Sequence, residues 1–330
     1  MFRIGIIGAG HIAVKMAVTI NAMPDVEAYA VASRQYDKAA AFAGQFGFTK
    51  AYGSYEELVD DPAVDLVYVA TPHSLHYRHV MMCLDHGKAV LCEKAFMANA
   101  REAAEVIRIS EEKGIFLAEA IWTRYMPFSK TIKEVVDSGA IGRPMMLSAH
   151  LGYPVADKER LIRPELGGGA LLDLGVYALN FALMMFGTEL SDISSSCMKS
   201  DTGVDLQNSI TLRYTDGRIA DLQSTALCAS DRQGIVCGDK GYIVCDNINN
   251  PLKAELYDAN HSLVRTYNAP EQITGFEYQV RACIEAIGRG RTETAYMPHS
   301  ETLLVMEIMD SLRSSWGVHF PNDNIQAADT

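Results

Sequence analysis

The sequence has no C-x-x-C pair and no cluster of Cys with His; its seven cysteines, at 83, 92, 197, 228, 237, 245 and 283, are scattered. That pattern excludes a disulfide framework and a metal site of the zinc type, and it predicts reduced, partly buried thiols in a cytoplasmic protein. No stretch of about 18 apolar residues is free of charge or glycine, and the N-terminal apolar run is too short and glycine-broken for a signal peptide. The expectation is a chain with no membrane partner. No run of Lys and Arg is dense enough to neutralise a phosphate backbone, and the net charge is −12, from 29 basic and 41 acidic residues. A nucleic-acid partner is therefore not expected, and any phosphate must be held locally. Repeats, low-complexity tracts and long linkers are also missing.

What is present fits a globular chain: 330 residues, 48% hydrophobic, room for two domains with a core each. The first dozen residues carry an apolar run, Phe2-Arg3-Ile4-Gly5-Ile6-Ile7, broken by Gly8 and Gly10 and followed by His11-Ile12-Ala13. This reads as a strand, a tight turn and a helix start. Gly8 allows the turn, Gly10 lets a pyrophosphate approach the backbone, His11 and Ile12 open the helix, and Ala13 lets it lie close to the strand. A helix over 11–22 and a strand over 26–32 follow. The tip of that second strand faces the adenosine ribose in such a fold, and here it is Ser33-Arg34, with Lys38 one helical turn on and no carboxylate at the tip. An Arg there suits the 2′-phosphate of NADP, while Asp37 leaves NAD possible.

Further strands alternate with helices to residue 120: helix 36–46, a strand at 50–52, a helix capped by Ser54, strand 65–71, helix 75–86, strand 89–92, helix 99–113 closed by Gly114, and strand 115–120. That alternation predicts a doubly wound parallel α/β sheet over a first domain, 1–120. Strand 65–71 ends in Thr71-Pro72-His73 with His76 just beyond, at the edge where ligands of doubly wound sheets bind. Strand 89–92 ends in Glu93-Lys94, where a Lys beside a nicotinamide can steady negative charge on a substrate oxygen.

From 121 to 330 the pattern changes to a second, α+β domain. A helix over 128–138 and a strand over 145–152 precede a polar stretch with Arg160 and Arg163. Gly167-Gly168-Gly169 then opens an apolar helix, 170–186. Alternating segments 209–214, 218–224, 232–237 and 241–246, joined by Asp-Gly and Lys-Gly turns, predict a large, mostly antiparallel sheet. Helices 276–288 and 299–315 close the chain. On the apolar helix Asp173, Tyr177 and Asn180 stand at i, i+4 and i+7, one face of an α-helix, and need partners in the protein or a ligand.

Glu93-Lys94 taken with 167–177 (GGGALLDLGVY) resembles the glucose–fructose oxidoreductase / inositol dehydrogenase (Gfo/Idh/MocA) family. The likeness continues through 51–58 (AYGSYEEL), 118–125 (AEAIWTRY), 202–205 (TGVD) and 317–321 (GVHFP), and it is strongest toward the branch acting on cyclic trans-diols and D-xylose. It implies a Rossmann fold for the first domain and a substrate-binding and dimerisation role for the second, with a homodimer formed through the second domain's sheet. It also implies hydride transfer between NADP and a secondary or anomeric hydroxyl of a sugar, polyol or diol. Lys94 then corresponds to the catalytic Lys, Asp173 to the substrate-binding carboxylate and Tyr177 to the acid/base of the diol branch. Ser33 and Arg34 correspond to the NADP selector, and His76, Trp122 and Arg124 to residues around the nicotinamide and substrate. A Lys94 ammonium within ~4–6 Å would lower the pKa of the Tyr177 phenol. Two positions depart from the family: Ala95 replaces the Pro of Glu-Lys-Pro, so the peptide is either trans, with Lys94 re-aimed, or cis at ~3–4 kcal/mol; and Asn180 replaces an acidic residue. Alternatives within the family are a different sugar or inositol dehydrogenase, and an NAD(P)-binding regulator without turnover. The regulators lack the Lys and acid/base pair kept here.

Overall fold

The computed structural model describes residues 1–324. Its chain forms two compact units, one of Met1–Trp122 with Gln272–Met306, the other of Thr123–Glu271 with the chain from Glu307 on. The second domain drawn from the sequence ran unbroken from 121; the structure returns 272–306 to the first unit.

In the first unit, strands β1 (Phe2–Ile7), β2 (Val26–Ala32), β3 (Lys50–Tyr52), β4 (Leu66–Val69), β5 (Ala89–Glu93) and β6 (Leu117–Ala120) form a parallel sheet in the order β3-β2-β1-β4-β5-β6. They read as continuous apolar runs because helices cover both faces. Those helices are α1 (His11–Asn21), α2 (Tyr36–Phe46), α3 (Tyr55–Asp60), α4 (His73–Asp85) and α5 (Ala100–Lys113). Local chemistry sets their ends. Ser54 accepts from the Glu57 N–H to start α3, Asn99 accepts from the Glu102 N–H to start α5, and Gly114 closes α5 in the left-handed region. Helix α4 begins two residues earlier than expected, because Pro72 at φ −59° serves as its N-cap. The returning segment covers the sheet's edge strand: the Leu117 N–H donates to the Thr292 carbonyl at 2.9 Å, and His299 Nε2 donates to the Leu117 carbonyl at 2.9 Å. Both groups of Leu117 are thereby spent, and β6 is not left as an open edge.

In the second unit, helices α6 (Pro127–Asp137), α7 (Glu159–Ile162) and α8 (Val176–Phe186) accompany strands β7 (Pro144–Gly152), β8 (Leu190–Lys199), β9 (Asp205–Tyr214), β10 (Ile219–Thr225), β11 (Gly234–Gly238), β12 (Gly241–Cys245), β13 (Lys253–Asp258) and β14 (Leu263–Asn268). The sheet order is β14-β13-β12-β11-β7-β10-β9-β8, antiparallel except for the β7–β10 pair. Its inner face, with Leu147, Ala149, Ile210, Leu212, Ala220, Leu222 and Val236 buried, packs under α8 and the turn before it. Contact there is close enough that a Cβ on Gly234 would meet the Phe181 ring at 2.5 Å. The segment 164–186 is long and apolar enough to cross a membrane by composition, yet 94% of its most apolar window is buried inside the protein. Helices α9 (Glu277–Gly288) and α10 (His299–Trp316) complete the elements named here.

Candidate active site

The glycine turn has the shape a dinucleotide needs. Gly8 sits at φ 100°, and a Cβ there would meet the Ala70 carbonyl oxygen at 2.8 Å, so only glycine fits. At Gly10 a Cβ would meet nothing within 4 Å: the space is open in front of the helix start rather than closed by packing. Gly10 is the N-cap of α1, no side chain caps the helix, and its first turn carries no acidic residue. Its N–H groups are thus left for an anion, which the helix dipole favours. His11 is exposed and Ile12 half-buried beside it. At the tip of β2, Ser33 is buried, its Oγ accepting from the Gln35 N–H, while Arg34 and Lys38 are exposed. Arg34 lines a cavity of about 300 Å³ with Tyr55, Leu75, Arg78 and His79. Lys38 is not among the residues lining it.

At the end of β4, Thr71, Pro72 and His73 are half-buried, and His76 is fully buried. Both of its ring nitrogens face carbonyls: Nε2 that of Thr71 at 2.8 Å, Nδ1 those of Ala95 at 3.0 Å and Phe96 at 3.1 Å. Burial, the largest effect, holds its pKa below the usual histidine value, and the carbonyls oppose it. The sequence placed His76 against the nicotinamide; the structure places it beneath the surface, tying the end of β4 to the loop after Lys94. The Lys94–Ala95 peptide is cis, which settles the two geometries left open for it. Lys94 is half-buried and Ala95 fully buried.

Glu93 also turns inward. It is 5% exposed, accepts from the Tyr68 hydroxyl and from the Lys94 N–H, and burial raises its pKa to about 7. Lys15, which the sequence reading did not single out, reaches over the Trp122 ring at 3.9 Å and the Phe276 ring at 4.2 Å. Burial lowers its pKa to about 8, opposed by Glu93 and Glu277. Trp122 is packed on Phe276 at 4.9 Å and against Gly275, where a Cβ would meet the indole at 2.6 Å. Glu277 fixes that loop by accepting from the N–H groups of Ile273, Thr274 and Gly275.

In the second unit the expected helix 170–186 is not uniform: Leu171–Gly175 is a π turn that runs into α8. The wider turn changes the phase between Asp173 and Tyr177, so the three-residue stripe is not an ideal α-helical face. Asp173, 6% exposed, is held by Arg160 in a two-pronged pair at 2.8 and 3.1 Å. Asn180 was expected to meet substrate. It is fully buried, accepting from Arg124 Nε at 2.8 Å and donating to the Val176 carbonyl at 2.8 Å, and so supports Arg124 instead. Tyr177 is buried in the same helix start.

The π turn hangs on Asp205, a residue the sequence reading placed only within its 202–205 stretch. Its Oδ2 accepts from the Leu171 N–H at 2.8 Å and from Asn208 at 2.9 Å, and Asn208 in turn accepts from Ser224. A Cβ on Gly169, which is at φ 119°, would meet Asp205 Oδ1 at 2.4 Å, so the glycine run is what lets this carboxyl reach the turn. Arg160 and Asp205 escaped because each acts across a fold contact invisible in local pattern. Among the described residues no group of three or more His, Cys, Asp or Glu is placed to hold a metal ion.

Burial raises the Asp205 pKa from its reference value of 3.8 to about 6. The native state therefore binds more protons than the unfolded state between about pH 4 and 6, and this group's contribution to stability falls as pH rises through that window. Asp205→Asn should flatten that fall in a series of thermal melts from pH 4 to 7. Asp205→Ala should cost about 1–3 kcal/mol by stranding the Leu171 N–H and the Asn208 amide. Parallel melting curves of wild type and Asp205→Asn across the series would refute the assignment.

Residues 2–120 match the family profile described as the oxidoreductase family GFO/IDH/MocA, NAD-binding Rossmann fold, and residues 129–244 match the GFO/IDH/MocA C-terminal domain. The trans-1,2-dihydrobenzene-1,2-diol dehydrogenase of Xenopus tropicalis is 34% identical over 327 residues, covering 96% of this chain and 98% of that protein. The human enzyme of the same name is 32% identical over 332 residues, covering 97% and 98%. Among solved structures, the 3-ketoreductase KijD10 of Actinomadura kijaniata, in complex with NADP and TDP-benzene, superposes with a TM-score of 0.87 at 25% identity, over 95% of this chain and 97% of that one. Levoglucosan dehydrogenase, in complex with NADH and L-sorbose, shares the fold at a TM-score of 0.86 and 19% identity, over 96% of each chain. The chain belongs to the GFO/IDH/MocA family of oxidoreductases, and its first unit carries that family's NAD-binding Rossmann fold.

Proposed function

We propose that the chain is an NADP-dependent dehydrogenase of a cyclic trans-diol or a pyranose sugar. The full-length match to the trans-diol dehydrogenases carries the reading. The open, uncapped helix start at Gly10 fits a pyrophosphate, and Arg34 at the β2 tip, with no carboxylate there, fits a ribose phosphate. When bound, the nicotinamide supplies the hydride chemistry. The chain's own residues handle substrate and proton. Tyr177 is assigned the exchange of the hydroxyl proton and Lys94 the positive charge that steadies the oxygen as the proton leaves. Asp173, held by Arg160 at 2.8 and 3.1 Å, is assigned the orientation of the substrate's hydroxyls. Tyr177→Phe and Lys94→Ala should each lose about 10²-fold or more in kcat on the substrate found among aldoses and cyclic trans-diols, with NADPH binding retained. Near-normal rates in either would remove that residue from the scheme. Arg34→Ala should weaken NADPH about 10–100-fold, the worth of a charge-assisted bond, and leave NADH unchanged in fluorescence titrations.

The chain is also proposed to form a homodimer, in the cytoplasm, through the outer face of the second unit's sheet. That face carries Met146 beside Ile219 and Cys237 in register, with Tyr242 stacked on Tyr257 at 5.0 Å farther along the row. Met146 and Ile219 are 50% and 39% exposed and stand side by side on that face. Met146→Lys should reduce the light-scattering mass from two chains to one; an unchanged mass, or a single chain in the wild type, would contradict this arrangement.

A further inference from the structure

We propose that Glu93 and Tyr68 hold a titratable proton behind Lys94, with Lys15 as the positive charge that sets when it leaves, so that Glu93 is a positioning residue that tunes the Lys94 amine. The inference rests on Lys94 being the proton-steadying residue of the proposed function, and it adds what controls that residue.

The geometry is that of a closed carboxyl site. Glu93 ends β5 with its side chain turned away from solvent, one oxygen accepting from Tyr68 on β4 and the other from the Lys94 N–H at 3.2 Å. Tyr68 is itself fully buried. Lys15 on α1 feels the charges of Glu93 and of Glu277 at the start of α9. The Lys15 ammonium lies over both the Trp122 and Phe276 rings, at 3.9 and 4.2 Å from their centres, a place that favours a cation with little water. On β5, burial and then the charges of Glu93 and Glu119 push the Cys92 thiol up, so it stays neutral, and the charge of Lys94 bears on His76. A carboxylate in this site is opposed by burial and favoured by Tyr68, Lys94 and Lys15, in an order that brings its pKa to about 7. A group balanced at that point changes charge within the ordinary working range of an enzyme, whereas an exposed Glu does not.

The balance dictates the signs. Above the transition Glu93 is a carboxylate one residue from Lys94 and holds its ammonium; below it, that support is gone and the amine loses its proton more readily. Removing Lys15 or the Tyr68 hydroxyl takes away a group that favours the carboxylate, so either change moves the transition to higher pH.

Infrared difference spectra of the full chain without nucleotide, between pH 5 and pH 9, read the carboxyl directly. Wild type should show a buried protonated-carboxyl band at pH 6 that is lost by pH 8. Glu93→Gln should abolish it, and Lys15→Met and Tyr68→Phe should carry the loss to higher pH. A band untouched by Glu93→Gln overturns the proposal. Should Glu93→Gln fail to give a cooperative melt, a band that titrates identically in wild type, Lys15→Met and Tyr68→Phe overturns it as well. The link to Lys94 is read without turnover, from the ¹³C resonance of reductively dimethylated Lys94, assigned by its loss in Lys94→Arg. In Glu93→Gln its protonation constant should fall about tenfold, and an unchanged titration overturns the coupling. Absence of turnover on every diol and sugar would count against the proposed function while leaving both spectroscopic results to stand or fall on their own.

Discussion

A buried polar group costs more than it returns unless it is paired, and three buried side chains of this chain meet that constraint by pairing with the backbone of loops next to its candidate site residues. His76 is spent on the carbonyls of Thr71, Ala95 and Phe96. Glu277 is spent on three successive N–H groups around Gly275, and Asp205 on the first N–H of the π turn. In each case a loop that would otherwise expose unpaired backbone is fixed to one conformation. The positions of Thr71, Lys94, Trp122 and Asp173 are consequences of those bonds. None of the three fixing residues needs to touch a ligand to matter.

The first unit's framework was legible in the sequence for a physical reason: its strands are buried on both faces and its helices are closed by local chemistry. Strand β2 and helix α2 fall at 26–32 and 36–46 in both readings, and the Ser54 and Gly114 ends are where they were expected. The second unit was harder because its sheet has open edges. Strand β8, with every residue of its Ser-rich run 190–199 exposed or half-buried, has no alternation to read, and β14, at the other edge, has no buried residue either. The return of 272–306 to the first unit has no local signature either. It is decided by the need of β6 for partners at Leu117, a contact between residues 175 positions apart in the chain.

Site residues divide along the same line. Gly8, Gly10, Lys94 and Asp173 were singled out because a motif fixes both their type and their place in the chain. Glu93, His76 and Asn180 were legible as polar residues at strand ends and on a helix face, but pattern alone does not say whether such a group faces a ligand or the interior. Here all three face the interior. Lys15, Arg160 and Asp205 were missed because their meaning lies in tertiary contacts: Lys15 with Trp122 and Phe276, Arg160 with Asp173, Asp205 with Leu171.

Two of the second unit's arginines meet the same helix start in different ways. Arg124 and Asn180 meet where Asn180 has no exposure at all, and the Asn180 amide is committed on both sides, so opening that contact strands buried polar atoms. Arg160 differs: its side chain is 51% exposed while the Asp173 side chain is 8% exposed. Water can reach the guanidinium, so Arg160 itself loses little when the pair opens. Asp173, by contrast, must always have some donor, because its carboxylate is buried. The Arg124–Asn180 contact is closed to water at Asn180, whereas the Arg160–Asp173 pair is backed by solvent on its arginine side only.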